Sequence, residues 1–248
     1  MTYKFEIEGK ERKALVSGLS LGDYLDLHSV VKNISKDSTA HIVAHAVKWY
    51  MKFDASITDP LDLRVTDQTQ ICRLYVDYLT TVRKYVDALV DKAHTEYVKK
   101  ASKLGVLDVS GEDIKLKAKF EIPKTLKVAI NGVNKVVPIG DLKQGQNLAY
   151  EEAYYGFIEK YDLAFIDGCF VRATCYYAAT VDNFLAEYDV LSPGGITLKD
   201  VGLMFSDYLL VQVYRDRMRD KFYEDLTPKQ DKKLEELETE VKKDIKKK

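Results

Sequence analysis

TDQTQICRLYVDYLTTVRKYVDALVDKAHTEYVKKASKLG, residues 66–105, is the stretch on which the fold turns. Apolar side chains recur at Ile71, Leu74, Tyr75, Tyr78, Leu79, Val82, Tyr85, Val86, Leu89, Val90 and Ala93, which is the three-and-four spacing of one helix face. Sustained over about six turns, the pattern predicts a long amphipathic helix. Arg73, Asp77, Arg83, Lys84, Asp87 and Asp91 take its wet side. Thr66 offers a cap at its start and Gly105 a natural stop.

Toward the N-terminus the period becomes two. Tyr3, Phe5 and Ile7 alternate with Lys4, Glu6 and Glu8, Gly9 allows a turn, and Ala14, Leu15 and Val16 offer a return strand, so a hairpin is expected. Ser20 with Asp23 three residues on resembles a capping box, followed at helical spacing by Tyr24, Leu27, Val31 and Ile34. A second helix is predicted from about Ser38, with Ile42, Val43, Ala46, Val47 and Tyr50 inward. Asp54 to Leu63, with Pro60, reads as a loop.

Beyond Gly105 the character changes again. Ile114, Leu116, Ala118 and Phe120 alternate with Lys115, Lys117, Lys119 and Glu121, predicting a half-buried strand with a basic outer row. Leu126, Val128 and Ile130 run to Asn131-Gly132, the dipeptide favoured in tight hairpin turns, and residues 133–139 return, with Pro138 marking an edge or an end. Helix resumes from about Asn147, first through Tyr150, Ala153, Tyr154, Phe157, Ile158 and Tyr161. A next face holds Phe165, Ile166, Cys169, Phe170, Ala173, Tyr176 and Tyr177, with a break foreseen at Gly168. Ser192-Pro193-Gly194-Gly195 reads as a loop, Thr197 as the cap of a helix through Val201, Met204, Phe205, Tyr208, Leu209 and Val211, and Thr227-Pro228 as the start of a final helix. The expected class is α+β, mainly α-helical: a helical body with a short N-terminal β-hairpin and an inserted β-hairpin or small sheet near residues 106–140. Three segments follow: 1–104, a hairpin plus helical lobe; 105–146, the β insertion; and 147–248, a helical lobe with a charged terminal helix.

Of the 248 residues 46% are hydrophobic and 31% charged, a balance that excludes a disordered chain, a collagen-like rod and an integral membrane protein. The 38 Lys and Arg against 39 Asp and Glu leave a net charge of -1, without the basic excess of a protein held to nucleic acid by charge. Tyrosine is abundant, with 17 copies. Positions such as Tyr150, Tyr154, Tyr155, Tyr161, Tyr176, Tyr177 and Tyr188 suit either a core or a contact with another chain. Three cysteines are too few and too irregular for a disulfide framework, and the charges among Met1 to Glu6 leave no signal-like apolar run, so synthesis inside a cell is expected.

Motifs for chemistry are sparse. His41 and His45 stand one helical turn apart, but the zinc-protease pattern needs Glu where Ile42 stands. Cys169 and Cys175 flank Arg172 with no histidine after His94 to act as base, so they read as inert thiols on an apolar face. Gly140 to Gln146 lacks the Gly-Lys-Ser/Thr ending of a phosphate loop. The row Lys115, Lys117, Lys119, Lys124 and Lys127 could follow phosphates, yet lysines also guard exposed strands against edge pairing. No catalytic residue, cofactor or metal ligand is expected.

The order of parts is itself informative. Tyr3-Lys4-Phe5-Glu6-Ile7-Glu8-Gly9, then Leu19-Ser20-Leu21-Gly22-Asp23-Tyr24-Leu25, then a helix after Leu63-Arg64-Val65-Thr66-Asp67 resemble the baseplate hub and tail-assembly proteins of T-even-type, contractile-tailed bacteriophages. The likeness covers about the first hundred residues, carries no functional residue across, and departs from members that bear paired cysteines. It implies a non-enzymatic structural subunit of a tail baseplate, hub or hub-proximal, made in the host cytoplasm and located in the virion. Its partners would be other tail or baseplate proteins, with self-association a further option; neither a membrane nor nucleic acid is expected. The candidate contacts are Lys115, Lys117, Lys119, Asn131 and Gly132 on the insertion, read as a Lys-edged hairpin projecting beyond the helical body, whose exposed edge could add to a neighbour's sheet. Leu234, Leu237, Val241 and Ile245 join them as the seam of a last helix too short to stand alone. The alternatives are a tail-assembly chaperone absent from the mature particle, and an enzyme or nucleic-acid-binding protein with a dispersed site.

Overall fold

The computed structural model describes residues 1–33, 39–54, 56–57, 63–130, 133–139, 142–161, 165–181 and 195–245, with side chains left aside at 28–33, 39–41, 129, 160–161, 165–168 and 225–245. Among these residues six helices predominate and the strands form small antiparallel pairs, which is the mainly helical α+β class expected. The N-terminal hairpin is β1 (Thr2–Ile7) with β2 (Lys10–Leu15), Ile7 opposite Lys10. Its two-residue turn holds Glu8 at φ 49° and Gly9 at φ 75°, the pair of positive φ values that matches the twist of the strands.

The inner face of this hairpin starts an aromatic core. Phe5 lies 5.1 Å from both Trp49 and Phe53, and Trp49 stacks on Tyr78 at 5.1 Å and tilts against Tyr75 at 5.5 Å. Trp49 comes from α2 (Thr39–Tyr50), and the tyrosines from α3 (Val65–Lys103). Fully burying an aromatic of this size contributes about 1.5–3 kcal/mol, so this cluster holds the first lobe. As the apolar periodicity predicts, Ile71, Tyr75, Tyr78, Leu79, Val82, Val86 and Ala93 are buried on α3. Its start is not as expected. Thr66 lies inside the first turn, Arg64 is the extended N-cap without a side-chain capping bond, and Arg64 pairs with Asp67 at 3.0 Å. An acidic side chain in the first turn meets the positive helix end, which a hydroxyl cap would otherwise do. The stop is as expected: Gly105 adopts φ 70°, with its N–H donating to Ser102 O at 3.0 Å and that of Val106 to Ala101 O at 2.8 Å. These two bonds satisfy the last carbonyls of the helix.

Two helices begin at one point. Ser20 caps α1 (Leu21–Asn33): the Asp23 N–H donates to Ser20 Oγ at 3.0 Å, and the Ser20 N–H donates back to Asp23 Oδ2 at 3.2 Å. Thr197 caps the last helix in the same way, with the Asp200 N–H on Thr197 Oγ1 at 3.2 Å. Ser20 and Thr197 also pair as an antiparallel bridge, with Leu21 N donating to Ile196 O and Leu198 N to Leu19 O, both at 2.9 Å.

The insertion departs from expectation in two ways. Only Lys115–Leu116 (β4) is a strand, paired with Leu107–Asp108 (β3). Residues 114–119 are exposed on both sides, Ile114 at 57% and Leu116 at 51%, so the run is not half-buried. It is held by Lys117 N on Val106 O at 2.9 Å and by Arg217 Nη2 on Ala118 O at 3.0 Å, and reaches the core only at Phe120, whose ring lies 5.9 Å from that of Tyr214. The second departure is in the hairpin β5 (Thr125–Ile130) and β6 (Val133–Pro138). Ile130 pairs with Val133 across the predicted two-residue turn, but the hairpin does not project, because Val128, Ile130, Val137 and Ile139 are buried against the helical body.

Three helices complete the chain: α4 (Gln144–Tyr161), α5 (Phe165–Thr180) and α6 (Leu198–Ile245). Gly168 does not break α5. From Phe170 to Tyr177 every residue of α5 except Arg172 is buried, the signature of a helix covered on all sides. Its buried hydroxyls are satisfied, Thr174 Oγ1 on Phe170 O at 2.9 Å and Tyr177 Oη on Met204 O at 3.1 Å. Nor does Thr227-Pro228 start a helix. One helix of 48 residues runs through it, since proline removes a single backbone bond while the residues on both sides favour helix. Against α3, α6 sets Gly202 at Leu89 and pairs buried Asp207 with Lys100 Nζ at 2.5 Å. Two glycines should respond oppositely in a denaturation series. Gly105→Ala forces a left-handed residue and should cost about 1–2 kcal/mol. Gly202→Ala places its Cβ 3.5 Å from Leu89 Cβ, an ordinary contact, and should add about 0.5–1 kcal/mol of stability.

Candidate functional site

Among the described residues a cleft of about 1010 Å³ opens where the chain before β5, the first turns of α4 and the middle of α6 meet. Apolar groups from Ile122, Pro123, Ile139, Met218 and Phe222 line it, with Lys124, Arg215, Arg219 and Lys221 against Glu151 and Asp216. Four cations to two carboxylates leave it electropositive in a chain that is neutral overall. Arg219 is engaged by Asp216 at 3.0 Å. The volume is at the upper end of the ~300–1,000 Å³ typical of small-ligand sites.

Behind the cleft lies a tyrosine cluster. Tyr150 and Tyr154 on α4 stack at 6.2 Å, Tyr150 meets Tyr176 of α5 edge-on at 6.3 Å, and Tyr176 tilts against Tyr208 of α6 at 5.5 Å. The Tyr150 and Tyr208 hydroxyls are 3.4 Å apart, and Tyr176 Oη donates to Pro138 O at 2.7 Å, tying the end of β6 to α5. Two guanidiniums lie over rings, Arg172 at 4.6 Å from the Tyr154 centroid and Arg215 at 5.5 Å from that of Tyr176, a favourable use of a cation beside an aromatic face. Burial pushes the Tyr176 phenol up to about 12, the nearby Arg215 opposing, and burial likewise raises Tyr208 and Tyr177. These phenols stay protonated at neutral pH and are poor bases. Burial likewise pushes the Cys175 thiol up to about 12, which leaves it a packing group and not a nucleophile.

The residues singled out from sequence are not brought together here. Lys115, Lys117 and Lys119 are exposed on the run that passes α6 elsewhere, where Arg217 Nη2 donates to Ala118 O at 3.0 Å. Asn131 and Gly132 lie outside the described residues, as does the loop Ser192 to Gly194. Leu234, Leu237, Val241 and Ile245 all fall on α6, their side chains outside the described set. His45 is half-buried on α2, while the His41 side chain lies outside that set. Among the described residues no three His, Cys, Asp or Glu groups gather where they could hold a metal ion, and no helix is long and apolar enough to cross a membrane. Of the tyrosine set, Tyr176 and Tyr177 are core, Tyr150 and Tyr154 half-buried, and Tyr155 60% exposed, with Tyr161 and Tyr188 outside the described side chains. What sequence reading missed is the arginine share. Arg215 and Arg219 sit among alternating charges, Arg-Asp-Arg-Met-Arg-Asp, that read as a solvated helix face.

Comparison with protein-family models, curated proteins and solved structures finds no match. The site therefore stands on its own chemistry, a cationic rim over an apolar floor.

The raised phenols fix the pH response. In the unfolded chain tyrosine loses its proton near pH 10, whereas Tyr75, Tyr78 and Tyr176 hold theirs to about 12. The folded state then binds more protons between these values, so stability is unaffected below pH 10 and falls as pH rises through 10–12. Chemical denaturation at stepped alkaline pH, with tyrosinate absorbance as the monitor, should show both effects together. At neutral pH, Cys175, 2% exposed, should resist a thiol reagent until the chain unfolds.

Proposed function

We propose that this chain is a structural subunit that works by assembly with other protein chains and, more narrowly, a non-enzymatic component of a phage tail baseplate at or near its hub. One observation carries the assembly reading, the geometry of α6. Its 48 residues span about 72 Å at 1.5 Å per residue. Among its described side chains, the buried ones end at Tyr214, and Phe222 and Tyr223 stand 60% and 59% exposed. An unsupported helix end is marginal in water, and adjacent exposed aromatics are typical of contacts with another chain. The baseplate reading adds the order of hairpin, capped helix and long helix in the first lobe, which resembles the tail proteins named above.

The test is mass spectrometry of purified contractile-tailed particles from the source. Peptides of this chain at stoichiometric level support the reading. Their absence, with binding only to unassembled tail protein, would replace it by a transient chaperone. A salt-sensitive DNA shift lost on replacing Lys115, Lys117 and Lys119 would replace it by nucleic-acid binding. Phe222→Ala with Tyr223→Ala should change folding stability by no more than about 0.5 kcal/mol, because both rings are exposed, while incorporation into particles falls.

A further inference from the structure

We propose that the cleft beside α6 receives the glutamate-rich stretch 235–240 of α6 from a second copy of this chain, forming an antiparallel two-fold pair. The inference names a partner within the assembly reading and rests on it.

The charges on this one helix are divided by position. Residues 215–222 carry four cations, Arg215, Arg217, Arg219 and Lys221, against two aspartates, and Lys124 adds another from across the cleft. Residues 235–240 carry four glutamates and no cation. Lys232 and Lys233 precede the glutamate stretch and Lys242 and Lys243 follow it, so its negative charge is confined to about two turns and is complementary to the basic zone over that length.

The acidic zone cannot occupy its own cleft. Both zones lie on one continuous helix, with midpoints 19 residues and about 28 Å apart at 1.5 Å per residue. A second copy running the other way solves the geometry. Acidic 235–240 of each then lies along basic 215–222 of the other, and the two-fold axis passes near Pro228, midway between the zones. A two-fold contact of this kind is made twice, each patch serving once in each direction.

The apolar pattern agrees in register. Leu234, Leu237, Val241 and Ile245 recur at three and four, and Tyr223 precedes Leu234 by eleven residues, close to three full turns. Arg219, Asp216 and Gln212, which line the cleft, continue the same stripe at spacings of four, three and four. One line of positions thus runs from the cleft to the end of the helix.

The test is light scattering after size exclusion on the full chain at micromolar concentration. A mass of twice 28.3 kDa that dissociates as salt rises is expected. Glu235→Lys with Glu236→Lys and Glu238→Lys should weaken pairing on the order of 100-fold, as should Arg219→Glu with Lys221→Glu, because each variant opposes like charges at both contacts. Mixing the two variants should restore a one-to-one pair, since both contacts of that hybrid are again complementary. This rescue is also the control for folding. A monomeric wild type, a dimer indifferent to charge reversal, or variants that fail to pair on mixing would each overturn the proposal. If the chain is monomeric yet stoichiometric in particles, this inference falls and the assembly reading stands. If pairing obeys the charge rules but particles lack the chain, the baseplate reading falls and the pair stands.

Discussion

Two chain segments 177 residues apart in sequence are fastened by the Ser20–Thr197 bridge, and the rest of the structure is arranged around that junction. A buried helix start is costly, because its first backbone N–H groups have no partners within the helix. Here two starts are buried side by side, with Ser20, Leu21 and Leu198 fully enclosed and Ile196 nearly so. The cost is met locally. Each cap takes one donor, each third-position aspartate adds a carboxylate at the positive helix end, and the bridge pairs the flanking backbone of one segment with that of the other. With both starts fixed, the directions of α1 and α6 are fixed, and α3 fits against α6 through Gly202, Leu89 and the Lys100–Asp207 pair.

The interior is unusually phenolic. Tyr75, Tyr176, Tyr177 and Tyr214 are among the largest fully buried side chains, and a tyrosine can be buried only where its hydroxyl finds a partner. Tyr177 reaches Met204 O and Tyr176 reaches Pro138 O. Both bonds join elements distant in sequence, so the hydroxyls specify how α5, α6 and the β5–β6 hairpin sit together. The same burial raises the phenols and the Cys175 thiol and removes them from acid–base or nucleophilic work at neutral pH. The packing that makes the tyrosines structural is what makes them chemically quiet.

The helix α6 has two halves with different work. Up to Tyr214 it is core, packed on α3, α5 and the hairpin. Beyond Tyr214 its composition turns to alternating charge, then to an apolar seam flanked by glutamate and lysine. A helix anchored at one end and continuing past the core is the feature on which the proposed assembly role rests.

Local signals were legible wherever a single element decides its own form. The hairpin at Tyr3–Val16, the Ser20 and Thr197 caps, the 65–103 helix and the Gly105 stop all depend on spacing, capping chemistry or a positive φ, and those are properties of neighbouring residues. Tertiary structure decided everything that depends on what lies alongside. Alternation in 114–120 looked like a half-buried strand, but burial requires a second layer, and only Phe120 finds one, against Tyr214, while 114–119 stay exposed. Gly168 carries a local penalty of about 1 kcal/mol and Pro228 one of about 3 kcal/mol, and the long helix on both sides overrides each. The electropositive cleft was invisible because its cations come from residue 124 and from residues 215–221, where sequence shows only mixed charge. By itself the sequence determined the class, the capped helix starts at Ser20 and Thr197 and the amphipathic face of α3, since these follow from capping chemistry and from periods of two and 3.6 residues. Which faces meet, and which cations converge on one surface, are long-range matters, and only the folded chain decides them.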